Sequence, residues 1–312
     1  MPRPSTGAFA LGASSLLATG WLVRHSKAPV VRSWRPGAGD RVRLGPLSVR
    51  QQGAGRRSYV LLHGLLSSAD IFGHTFDALG QHGRVLAVDL LGFGKSFDGT
   101  GARPDSIASF DLDAHLDALD RALVGAGNRI VFGAHSLGAL IALHWASRNP
   151  HRVERVVTWG APLYTDPQEA HRRMASMGPV QALFTSDGAV PRVLGTAILT
   201  LHPEVLLSAV AAAMPQLPAP LAHTLVEHSW QSYRQSMEIL LDNDWQQALK
   251  GLAHASVPVL LAHGARDRAV VPGRAAAYAG SLSTVDFEVA PSIRHEMVLT
   301  DPRRCVRHLE PA

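Results

Sequence analysis

Short apolar runs, each closed by a glycine-bearing turn and followed by a longer stretch with helical spacing, recur along most of this chain. Loose alternation from Arg41 to Arg50, with Val42, Leu44, Leu47 and Val49 as the apolar members, predicts antiparallel edge strands. Tyr59-Val-Leu-Leu62 then reads as a buried strand that ends in His63-Gly64-Leu65-Leu66-Ser67-Ser68, and Ala69 to Gly80 as a helix. Val85-Leu-Ala-Val88 is a second such strand, ending in the two-glycine loop Asp89-Leu-Leu-Gly-Phe-Gly-Lys-Ser96. Between Ser106 and Val124, Leu112, Leu116, Leu119 and Leu123 share one helical face, which leaves Asp111, Asp113, Asp117 and Asp120 to a solvated side. Ile130 to Trp145 is an apolar run that breaks at His135-Ser136-Leu137-Gly138 and resumes with helical spacing to about Asn149. Strands follow at Val153 to Thr158, Val257 to Ala262 and Val285 to Val289, with a helix near Pro272 to Ser281 and a last helix opened by Ser292-Ile-Arg-His295. Strand and helix in alternation predict an α/β fold with a mostly parallel, doubly wound sheet covered on both faces.

The rhythm fails from about Ala161 to Leu249, where helical segments are separated by Pro179, Pro191, Pro203, Pro215, Pro218 and Pro220. We read this as a helical cap inserted into the domain. The expected division is therefore an N-terminal apolar segment and basic linker over 1–40, core over 41–160, cap over 161–249 and core again over 250–312. Val193 to Met214 is apolar enough to suggest a membrane span, but Pro203 and Glu204 in its middle favour a helix pair folded over the sheet. Residues 7–23 carry no charge and are followed by Arg24, His25, Lys27, Arg32 and Arg35. This segment reads as a short anchor or membrane-surface segment with the catalytic domain kept cytoplasmic; export and a soluble cytoplasmic leader are the alternatives.

Composition changes this picture little. At 312 residues and 46% hydrophobic, the chain can bury a sizeable core, which excludes a disordered protein. The net charge of +5 is spread over a sequence only 18% charged, and no Lys/Arg run alternates with aromatics, so nucleic acid is not an expected partner. The lone cysteine, Cys305, has no partner for an internal disulfide and reads as a packing or surface thiol. The aspartates of the second predicted helix lie around it rather than converging, so metal binding there is not expected. No repeat or low-complexity tract is evident.

The chemistry centres on Ser136. A residue at the apex of a tight strand-to-helix turn takes a strained backbone, and the small Ala134 and Gly138 let the two elements approach. Free N–H groups at the start of the following helix would stabilise negative charge developing beside the Ser136 hydroxyl. That hydroxyl is a weak nucleophile without a base to take its proton. Together, His63-Gly64, the Asp89–Ser96 loop, Ala134-His-Ser-Leu-Gly138, Gly264-Ala-Arg-Asp267 and Arg294-His295 resemble the α/β-hydrolase superfamily, from about Arg41 to the C-terminus. The combination is specific through its order: serine, then aspartate, then histidine, with acid and base each following a predicted strand.

The resemblance implies Ser136 as nucleophile, His295 as base, Asp267 as the acid that orients it, and the backbone N–H groups of Leu65 and Leu137 as oxyanion donors, with no metal and no organic cofactor. It also implies that His63 holds its turn by hydrogen bonding, while His135 either lines the pocket or packs beneath the elbow. Each of the three side chains has a plainer role taken singly: Ser136 in a turn, Asp267 as a helix cap or partner of Arg266, His295 as packing for the last helix. One position departs from the pattern, Ala134 where glycine is commoner. Serine at the nucleophile position argues against the branches that use aspartate there, the dehalogenases and epoxide hydrolases.

The expected activity is that of a carboxylesterase or lipase-like enzyme acting on a small apolar ester-like substrate through an acyl-enzyme on Ser136, with Leu163, Met174, Met177, Leu183 and Phe184 as candidate cap lining. A C–C bond hydrolase of aromatic ring-fission products could use the same three residues; it would need a cap arginine for the substrate carboxylate, with Arg172, Arg173 and Arg192 as candidates. A non-catalytic binding protein on the same fold is the third reading. Oligomeric state is not readable from the sequence.

Overall fold

A computed structural model describes residues 31, 33–97, 109–176, 193 and 217–311. Within them an eight-stranded sheet runs in the order β1-β2-β4-β3-β5-β6-β7-β8, formed by Asp40–Leu44, Leu47–Gln52, Ser58–Leu62, Arg84–Val88, Ile130–His135, Val153–Trp159, Val259–Gly264 and Val285–Ala290 as β1 to β8 in chain order. The first two strands form the predicted antiparallel hairpin, β2 pairs antiparallel to β4, and all remaining pairs are parallel.

Because the sheet is covered on both sides, its central strands are near-continuous apolar runs. Val60 and Leu62 of β3 face one apolar cluster while Tyr59 and Leu61 face the other, and Phe132 and Val131 of β5 divide in the same way. The first face is covered by α1 (Leu112–Ala122), α2 (Leu137–Arg148), α6 (Trp245–His254), which packs along α2, and α7 (Pro272–Ala279). The second is covered by a 3-10 segment at His74–Gln81 and by the C-terminal helix α9 (Pro302–Leu309). The central helix, α2, is apolar on nearly all sides and buried accordingly.

Between β6 and β7 the described residues form helices only: α3 (Pro167–Ser176), α4 (Ala219–Thr224), α5 (Trp230–Leu241) and α6. The expected boundary at residue 249 falls inside α6, whose Leu249 and Leu252 belong to the main core. The helix pair expected over Val193 to Met214 lies outside the described residues except at Val193 itself, as does the apolar segment from Gly7 to Val23. Among the described residues no helix is long and apolar enough to cross a membrane.

Two local expectations are corrected. Ala69 to Gly80 is not one α-helix but two 3-10 pieces, Ala69–Ile71 and His74–Gln81. They part at Gly73 because residues 34 and 35 cross there: a Cβ on Gly73 would lie 2.5 Å from the Arg35 carbonyl oxygen. Ser292 to His295 does not open the last helix; those residues form a turn, α8 (Met297–Thr300) follows, and the chain restarts as α9 after Asp301, whose side chain caps it. The four aspartates on and before α1 are exposed, as the pattern implies, and Asp111 also caps the helix through the Ala114 N–H while Asp120 accepts a bond from the Trp145 indole. Cys305 is fully buried in the second cluster, which makes it a packing thiol.

Candidate active site

Ser136 ends β5 and stands just before α2 with φ 52° and ψ −118°, a left-handed conformation costly for any residue other than glycine. The surrounding contacts hold it there. Its N–H donates to the Trp159 carbonyl (3.0 Å), and two residues on the Gly138 N–H donates to the carbonyl of His63 (3.1 Å). A Cβ at position 138 would lie 2.5 Å from that same oxygen and 2.6 Å from the Leu62 oxygen, so only glycine lets α2 start this close to the end of β3.

The turns after β7 and β8 bring two more groups to the serine. The hydroxyl of Ser136 lies 3.0 Å from His295 Nε2, and His295 Nδ1 lies 2.8 Å from Asp267 Oδ2. The other carboxylate oxygen, Oδ1, accepts the N–H groups of Ala269 and Val270. Burial alone would raise the Asp267 carboxyl, but the hydrogen bond and charge of His295, with the Ala269 N–H, hold it below its ordinary value. Burial likewise pushes the His295 imidazole down, and the bond and charge of Asp267 outweigh it and lift the group above its ordinary value. These bonds set the tautomer: Nδ1–H donates to the carboxylate and Nε2 accepts from the serine.

Leu137 and Leu65 flank the Ser136 side chain, and neither backbone N–H donates to another described residue. Leu65 follows Gly64, where a Cβ would sit 3.0 Å from Ser136 Cβ, so the glycine lets the turn after β3 close against the elbow. His63 holds that turn: its Nδ1–H donates to the Gly64 carbonyl (2.7 Å) and Nε2 accepts the Leu90 N–H (2.9 Å). The Asp89–Ser96 loop is held beside it by the buried Asp89 carboxylate, which accepts the Ala69 and Lys95 N–H groups and pairs with Arg41 at 2.6 Å. His135 lines the pocket and contacts His295, its Nε2 lying 2.9 Å from the His295 carbonyl oxygen.

The site opens on a cavity of about 200 Å³ whose described lining is mostly apolar, with Met174, Leu221, Met237 and Leu240 drawn from the segment between β6 and β7. Of the expected cap lining, Met174 is present, Leu163 is buried elsewhere, and Met177, Leu183 and Phe184 lie outside the described residues. Arg172 and Arg173 do not line the cavity, and Arg192 lies outside the described residues. Among the described residues no cluster of His, Cys, Asp or Glu could hold a metal ion. Two features escaped sequence reasoning. Gly160, at φ 62°, leaves room for His295 and Asp267, since a Cβ there would lie 3.1 Å from His295 Nδ1. A glycine just after a predicted strand, as at Gly64 and Gly264, was the available signal. Tyr164 and Tyr233 also line the cavity, and nothing in the local pattern marks them.

A serine on a strained strand-to-helix elbow, in a mostly parallel eight-stranded sheet, defines a hydrolase of the α/β-hydrolase class. More narrowly, the family profile described as serine aminopeptidase, S33, matches residues 53–303, and the chain belongs to that family. It is 38% identical over 102 residues to a haloalkane dehalogenase of Agrobacterium fabrum, a match covering 31% of this chain and 30% of that protein. Against the pimeloyl-[acyl-carrier protein] methyl ester esterase of Nitrosospira multiformis it is 25% identical over 253 residues, covering 80% of this chain and 92% of the relative. Among solved structures, E-2-(acetamidomethylene)succinate hydrolase superposes with a TM-score of 0.63 at 19% identity, covering 87% of this chain and 97% of that one. The first of these alignments spans under a third of the relative's length, and the last speaks to the fold alone.

Proposed function

We propose that this hydrolase cleaves carboxylic esters of apolar acyl groups through an acyl-enzyme on Ser136. The observation that carries the reading is the line of bonds from the Ser136 hydroxyl through His295 to Asp267 at the floor of an apolar cavity. In this mechanism His295 takes the Ser136 proton as the oxygen attacks the ester carbonyl, and the tetrahedral oxyanion is met by the N–H groups of Leu65 and Leu137. His295 then returns the proton to the departing alcohol, and water admitted to the same base releases the acid. Asp267 stays ionised throughout and stabilises the imidazolium. We read residues 161–249 as a cap that supplies much of the acyl pocket.

The esterase from Nitrosospira, similar along nearly its full length, supports an ester substrate. C–C bond hydrolysis is the weaker reading, because a carboxylate-bearing substrate calls for a cation and no arginine or lysine is among the described lining residues. The family description raises peptide-like substrates, which would pass through the same acyl-enzyme. A panel of nitrophenyl esters of graded acyl length, run beside aminoacyl nitroanilides and a ring-fission diketone acid, separates the three. Esters are expected to give the highest kcat/KM; a faster anilide or diketone would overturn the ester reading.

A further inference from the structure

His135 is buried in the pocket wall beside the elbow, with its two ring nitrogens in opposite circumstances. Nε2 lies 2.9 Å from the main-chain oxygen of His295, an atom that can only accept, so this nitrogen carries the proton. Nδ1 is then a bare acceptor, buried and without a hydrogen-bond partner. Unpaired buried acceptors are uncommon because nothing offsets their desolvation. Phenylalanine would fill the same space without that cost, so the bond to His295 is what a histidine adds here. The ring also packs tilted against the His295 imidazole, with centroids 4.8 Å apart. On its other side it closes on the turn after β3, where a Cβ on Gly64 would lie 3.0 Å from Nδ1. One side chain therefore touches both the base and the turn that presents the Leu65 N–H.

We propose that His135 is a positioning residue that sets the relation between the base His295 and the Gly64–Leu65 turn across Ser136. The inference rests on Ser136 being the nucleophile. The Nε2–H bond pins the carbonyl of His295 from below while the Met297 N–H holds the same oxygen at 3.0 Å from the start of α8. With its backbone fixed, the His295 ring spans Asp267 and Ser136 at once. The charged and titratable groups around His135 are His295, Asp267 and His63, and burial with the neighbouring His295 holds its own pKa down at about 3. It therefore stays neutral, and remains a donor to the carbonyl, while His295 gains and loses the catalytic proton.

The test compares full-length wild type, His135→Phe and His135→Gln, each normalised to the sites titrated by a fluorophosphonate. In H135F, kcat is expected to fall ten- to a hundredfold, the scale of a slight misplacement of reacting groups, with KM within about twofold. The acid limb of kcat/KM should move to lower pH, because a loosened His295 feels Asp267 less. H135Q keeps an N–H donor and should recover most of the lost kcat. Proton and nitrogen NMR adds a readout independent of turnover: the downfield His295 Nδ1 proton should move or broaden in H135F and persist in Ser136→Ala. Wild-type kcat per titrated site, an unmoved acid limb and an unchanged His295 resonance in H135F would overturn the proposal, as would a lowered melting temperature accompanied by no other change. If the wild type takes no fluorophosphonate, the nucleophile reading has failed and the proposal falls with it, whereas a labelled wild type whose His295 resonance ignores H135F overturns the positioning role alone.

Discussion

At the scale of single residues, the site is an arrangement of proton affinities. In the proposed mechanism His295 can take the Ser136 proton only when neutral, and Asp267 lifts its pKa above the ordinary histidine value. The sign follows: kcat/KM should rise with pH through a single limb centred above about 6.5, and activity should be lost in acid. Asp267→Asn removes the lift and favours the wrong tautomer, so the limb should move down while kcat drops by about 10⁴-fold. A pH–rate profile of both proteins checks the two effects together. Ser136→Ala should abolish fluorophosphonate labelling and cut ester turnover by at least about 10⁴-fold, and retained hydrolysis would remove the acyl-enzyme mechanism. Ser136 was legible from its neighbours, because small residues flanking a polar one between strand and helix patterns are a local signal. Gly160 and the cavity tyrosines were not, since what they touch comes from elsewhere in the chain.

At the scale of elements, the elbow depends on how closely α2 can approach β3. Gly138→Ala places a methyl group 2.5 Å from a backbone oxygen, which has no flexible end to yield. Thermal melting and ester turnover should both decline, whereas Gly273→Ala, in a helix where a Cβ meets nothing within 4 Å, should leave turnover unchanged and melting no lower. Helix α1 supplies an independent check: its cap, Asp111, accepts the Ala114 N–H, and Asp111→Ala should cost about 1 kcal/mol in urea unfolding. Strand positions were read well because buried parallel strands are near-continuous apolar runs. The helical segments were read less well where tertiary contacts intervene, as at Gly73, where another stretch of chain crosses, and at His295, whose carbonyl is held by His135 as well as by the Met297 N–H.

At the scale of the whole molecule, the described cavity walls are mostly apolar and are drawn both from the turns at the strand ends and from the segment between β6 and β7. Transfer of acyl carbon into such a space is favourable at about 0.8 kcal/mol per methylene, roughly a fourfold gain in kcat/KM for each carbon until the space is filled. A graded ester series should therefore climb and then turn over, with the turnover set by a volume near 200 Å³. A flat series would show that the acyl chain does not enter this cavity. Met237→Ala should move the maximum to longer chains, because it enlarges the wall where α5 meets the pocket.

The sequence by itself determined the alternation of strand and helix, the two-sided burial of the sheet, the elbow at Ser136 and the order in which serine, aspartate and histidine occur. These are properties of short windows, set by hydrophobic period, glycine placement and the residue that must stand at a turn. Only the tertiary structure decided that the hydroxyl of residue 136 meets a ring 159 positions away at 3.0 Å, and that this ring meets a carboxylate 28 positions before it at 2.8 Å. It also decided the surroundings of His135 and the composition of the described cavity wall. The reason is physical: strand ends converge because the sheet packs, and which side chains then share a cavity depends on register and helix approach, quantities that no local pattern carries.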